Sequence, residues 1–166
     1  MTVIHSHRRA AVLACAIALV LQVSPAMAGD QRDSANNSRP VRITFTKWIA
    51  GYPLMKGDTG GDIAGVFVGE VLQLQDSTNP DLNPIRRLEA IYEVQGGDRS
   101  FTALIRGGAN RVTGAAVLDG VVLAGWRTGA PVHVEFDTID GCFGAPAGDP
   151  CFVGTIDVGR APAPKN

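Results

Sequence analysis

Glu70 is the only carboxylate in the series Ala64, Val66, Val68, Glu70, Leu72 and Leu74, which shares one face of an extended run because strand side chains alternate with period two. If that stripe lines a core, desolvation raises the carboxyl's pKa and Glu70 becomes a general acid or base. Otherwise Glu70 is a strand-end residue reaching solvent. Tyr92 lies with Arg86, Leu88, Ala90 and Val94 on one face of the next run, where its hydroxyl could orient a ligand or bond a core partner. Arg106, just past Phe101 to Ile105, carries a guanidinium suited to a carboxylate or phosphate at a barrel mouth, or it ends a solvated strand.

His133, Glu135 and Asp137 alternate with Val132, Val134 and Phe136. They match the wet side of a half-buried strand, or an acid-base or metal constellation. Cys142 and Cys151 bracket a Gly- and Pro-rich stretch, and in an oxidising compartment the simplest reading is a disulfide that clips it shut. With His133 the only histidine after the first ten residues and no second cysteine pair, a zinc shell is not expected. The segment 57–62 lacks the lysine of a phosphate loop and the Asp-x-Asp spacing of a calcium loop. No Gly-x-Ser-x-Gly nucleophile motif occurs.

These residues must be positioned by strands. Short Val/Ile-rich runs are punctuated by glycine and proline, and no sustained 3.6-residue period appears. The expected strands are 41–49, 63–75, 86–95, 99–106, 111–118, 121–126, 131–140 and 152–158, with 57–62 a loop, 107–110 a turn and Asp119-Gly120 a two-residue hairpin. Eight short strands joined by tight turns predict an all-β domain, either a closed meander barrel, which has no exposed edges, or a sandwich.

The N-terminus reads as an export leader. Arg8 and Arg9 precede the apolar run Ala10 to Val23, and Ala26-Met27-Ala28 places small residues where a signal peptidase reads. Cleavage after Ala28 is expected; an uncleaved anchor is the alternative. The organisation is then a signal peptide over 1–28, a polar tail over 29–40, a barrel domain over 41–159 and a C-terminal tail over 160–166. Cys15 falls in the discarded segment, and the Arg8-Arg9 pair also permits a twin-arginine route. Losing Arg8 and Arg9 leaves 13 basic against 16 acidic residues, so the net charge of −1 becomes −3. That is no footprint for nucleic acid or an anionic membrane. The expectation is a secreted or periplasmic protein, off the membrane once its leader is removed.

Leu88-Glu89-Ala90-Ile91-Tyr92-Glu93, Gly97-Asp98, the strand Phe101 to Ile105, and Gly107-Gly108-Ala109-Asn110-Arg111-Val112-Thr113-Gly114 resemble the central stretch of the allene oxide cyclase barrels, and loosely of the dirigent proteins. Gly65 and Gly69 fall where that family also places glycines. The resemblance covers roughly residues 62–139. It implies an eight-stranded antiparallel calycin-like barrel, commonly a homotrimer, whose interior binds a small apolar molecule and guides its cyclisation or isomerisation without a cofactor. The plant cyclases carry a glutamate-rich first strand, whereas Arg39 to Ile49 contains no acid, so the plant activity does not carry over.

Two functions fit. The first is an exported barrel that binds an apolar or aromatic metabolite and steers its cyclisation, with Glu70 catalytic and Tyr92 and Arg106 binding. The second is a non-catalytic exported carrier or partner-binding barrel. An interior carboxylate or arginine beside an open cavity favours the first; a solid aliphatic interior favours the second.

Overall fold

The computed structural model describes residues 39–79 and 81–163; the expected leader over 1–28, most of the expected polar tail and the last residues of the C-terminal tail lie outside them. The described chain is all-β. Its strands are β1 (Val41–Ile49), β2 (Leu54–Gly61), β3 (Gly65–Gln75), β4 (Ile85–Gln95), β5 (Phe101–Asn110), β6 (Ala116–Gly125), β7 (Pro131–Ile139) and β8 (Cys151–Val158), with one 3-10 turn at Gly97–Arg99. Each pairs antiparallel with the next, and β1 pairs with β8 from Val41↔Val158 to Trp48↔Cys151, closing an eight-stranded barrel. Closure leaves no unpaired edge strand open to pairing with another chain.

Alternation sorts the side chains. On β1, Val41, Ile43, Phe45 and Lys47 are buried while Arg42 and Thr44 are exposed. Ala90, Tyr92 and Val94 of β4 and Val132, Val134 and Phe136 of β7 point inward in the same way. The core holds an aromatic cluster: Phe67 and Tyr92 meet edge to face at 4.8 Å between centroids, and Phe45 lies 5.8 Å from Phe67 and 6.4 Å from Phe136. Rings this large fit because glycines face them. Gly154 lies opposite Phe45 and Phe136 in the ladder, and a Cβ there would overlap Phe136 and the Glu135 carbonyl.

The chain reaches eight strands by a different partition from the one expected. Segment 57–62, expected as a loop, belongs largely to β2, which pairs with β1 from Met55 to Gly61. Its glycines look like turn residues, but Gly57 is buried opposite Lys47, where a Cβ would overlap the Thr46 carbonyl and the Lys47 Cα. Asp119-Gly120, expected as a hairpin, lies inside β6, with Gly120 paired to Ile105 on one side and Val132 on the other. Likewise 107–110 ends β5 rather than turning. In each case pairing on both sides overrides a local turn preference.

The two ends of the barrel differ. At the end holding the β6–β7 connection, Arg127, at φ 58°, donates to the carbonyls of Val158 (3.2 Å), Gly159 (2.9 Å) and Arg39 (2.7 Å) and lies 4.4 Å from the Trp126 ring. That guanidinium ties the end of β8 to the segment that leads into β1. At the other end, the connections 50–53, 76–84, 111–115 and 140–150 surround an opening. The Cys142–Cys151 disulfide clips the last of these, with its Cα atoms 5.9 Å apart.

Candidate functional site

The inward series of β1 continues from Phe45 to Lys47, so a lysine occupies a core position. Its side chain is 1% exposed. Its Nζ donates a hydrogen bond to the Tyr92 hydroxyl. It also lies 4.0 Å from the centroid of the Tyr92 ring, 4.4 Å from Phe136, 4.9 Å from Phe45, 5.4 Å from Phe67 and 5.8 Å from Phe152. Among the described residues no carboxylate pairs with it. Two effects compete over its charge. Ring faces attract an ammonium, by about 2 kcal/mol at a desolvated site, while removing an unpaired charge from water costs several kcal/mol. Burial prevails and holds the Lys47 pKa well below the ordinary lysine range.

Above Lys47 the interior opens into a cavity of about 470 Å³, a size that holds small organic ligands. Ile49, Met55, Val71, Leu88, Phe136 and Phe152 form its apolar walls, and Lys47 lies at its inner end. Arg86, Asn110, Arg111, Thr138 and Tyr52 bring polar groups to it. Arg86 bonds both oxygens of Asp76, Nε to Oδ1 at 2.6 Å and Nη2 to Oδ2 at 3.0 Å, and Arg111 stands 3.7 Å from Oδ2. The Arg86 hydrogen bond holds the Asp76 carboxyl below its usual range. One carboxylate lies between two guanidiniums, so the Arg86–Asp76–Arg111 cluster by itself is formally positive.

The structure distributes the expected site residues differently. Tyr92 is buried at 1% exposure with Lys47 as its partner, and does not itself line the cavity. Glu70 is exposed on the outer face of β3, because Phe67, Gly69 and Val71 point inward instead. Both faces of that strand are apolar, so alternation alone could not orient it. A bulge between Val71 and Gln73 then shifts the phase and returns Leu74 to the cavity wall. Arg106 lies on the barrel flank, its Nε 2.9 Å from Glu89 Oε2. It pairs in register with Asp119 on β6, well inside the sheet, and so is remote from the mouth. His133, Glu135 and Asp137 lie on the outside, where His133 contacts Asp119 at 2.7 Å and Glu135 at 3.2 Å.

Sequence reasoning missed Lys47, although a signal was present: it is the one charged residue in the inward series Val41, Ile43, Phe45, Lys47, Ile49. Arg111 was missed because its segment read as strand rather than as the turn at the mouth. Comparison with protein-family models, with curated proteins and with solved structures gives no match to this chain.

Proposed function

We propose that the chain is a small-molecule-binding barrel whose ligand has an apolar body and an electron-rich oxygen, entering by the Arg86–Arg111 rim and reaching inward to Lys47. The observation that carries this reading is the asymmetry of the interior: a cavity of about 470 Å³ with apolar walls ends on a buried amine, which is itself bonded to the Tyr92 hydroxyl. Burying apolar surface against those walls supplies affinity. Orientation comes from the polar ends. A ligand carboxylate would replace Asp76 between Arg86 and Arg111, and an inner oxygen would accept from Lys47. An arginine beside an open cavity favours metabolite binding over a solid carrier barrel.

The resemblance to the allene oxide cyclase and dirigent barrels, with export and trimeric assembly, belongs to the same proposal. In it, Lys47 and Tyr92 take the proton-handling role expected of Glu70. The test is an NMR titration of isotopically labelled protein with dodecanoate and 2-naphthoate. Saturable shifts confined to Ile49, Leu88, Phe136 and Phe152 are expected, weakened at least tenfold by Leu88→Trp, which fills the cavity. Shifts on the outer face, or equal binding by the tryptophan variant, would overturn the reading.

A further inference from the structure

We propose that Lys47 is a covalent attachment site, condensing with the carbonyl of an apolar aldehyde held in the cavity to form an imine. This deepens the binding reading and rests on it. A lysine becomes a nucleophile toward carbonyls when its amine is unprotonated, lies beside a bound substrate and is shielded from bulk water. Lys47 is placed to meet these conditions. It borders the cavity at its inner end, where the walls are apolar, and is 1% exposed. Among the described residues no carboxylate is positioned to hold it as an ammonium, and burial drives its pKa downward.

The neighbouring groups suit the reaction. The amine lone pair attacks the carbonyl carbon and a proton moves from nitrogen to oxygen, giving a carbinolamine. The carbon–oxygen bond then breaks, water leaves, and a carbon–nitrogen double bond remains. Aldehyde and amine are thus exchanged for imine and water, with no change of oxidation state. Loss of the oxygen needs a proton donor beside Nζ, and the Tyr92 hydroxyl is the hydrogen-bond partner already there. Any iminium character in the adduct is stabilised by the faces of Phe45, Phe67 and Phe136, which surround Nζ within 5.4 Å of their centroids. Gly57, opposite Lys47 on β2, adds no side chain that would crowd the lysine stem. Lys56, the neighbouring lysine, is exposed on β2 and has none of this setting.

The experiment treats folded protein at neutral pH with 2-naphthaldehyde and sodium cyanoborohydride, followed by intact mass and peptide mapping. One reduced adduct on Lys47 is expected, at least tenfold over Lys56 and Lys165, with urea-unfolded protein spreading label over all three. Tyr92→Phe should slow labelling at least tenfold, and Lys47→Met should remove it. Lys56 serves as the internal control in wild-type protein should the variants fold poorly. If 2-naphthoate binds in the cavity by NMR but Lys47 gains no adduct, the covalent proposal fails while the binding reading stands. If neither compound enters the cavity, both fail.

Discussion

Lys47 on β1 and Tyr92 on β4 are joined by a hydrogen bond across the barrel interior, although their strands are not neighbours in the sheet. Because a buried amine is less basic than one in water, this contact ties stability to pH. The folded-state pKa lies below the unfolded value of about 10.4. Between those two values the unfolded chain holds one more proton, so stability rises with pH. The slope is about 1.4 kcal/mol per pH unit and ends near the unfolded pKa.

Lys47→Met should remove that slope. Urea denaturation at several pH values between about 8 and 10 would find the wild type gaining on the methionine variant as pH increases. Parallel curves would mean that Lys47 is not depressed in the folded state. Adding Tyr92→Phe should recover stability lost by the single variant, since the hydroxyl otherwise stays buried without its partner, at a cost of about 1–3 kcal/mol.

Glu70→Gln should be silent. The side chain is exposed on the outer face of β3, so stability should stay within about 0.5 kcal/mol of wild type and dodecanoate affinity should not change. A clear loss of binding would return Glu70 to the site.

Breaking the Cys142–Cys151 disulfide, nine residues apart in sequence, should cost roughly 2–3 kcal/mol by freeing the loop in the unfolded chain. The double serine variant, compared with oxidised wild type in urea, measures this. Pro150 and Phe152 border the cavity, so ligand affinity should fall as well. Intact mass of the exported protein should place the N-terminus at Gly29, with both thiols oxidised.

His133 should titrate above its ordinary range, since hydrogen bonds to Asp119 and then Glu135 favour the imidazolium. Arg42, paired with Asp157 at 2.7 Å, completes this outer cluster. Here the sign opposes that of Lys47. The folded pKa exceeds the unfolded one, so the stabilisation is fully present below about pH 6.5 and fades as pH rises through the folded value. Proton NMR of the imidazole would follow it, and Asp119→Asn should move the midpoint down. An unchanged midpoint would show that Asp119 is not the cause.

Much of the fold was legible because its signals are local. β1 was bounded correctly from its alternation, and the inward face of β4 was readable because Leu88, Ala90, Tyr92 and Val94 stand against Arg87, Glu89 and Glu93. β2 was not legible: Leu-Met-Lys-Gly-Asp-Thr-Gly-Gly has the composition of a turn, and only close approach to β1 makes its glycines strand residues.

The sequence by itself determined the β class and the pairing of Cys142 with Cys151, since alternation and cysteine spacing act over short range; its count of eight strands coincided with the fold only because a missed β2 offset a divided β6. Only the tertiary structure decided which face of β3 points inward, because both faces are apolar and closure of the barrel selects the one carrying Phe67. It also decided that Lys47 would be buried. Ring closure turns β1 inward as a unit, and a lysine at the fourth inward position ends among the rings of Phe45, Tyr92, Phe136 and Phe152 rather than in bulk water.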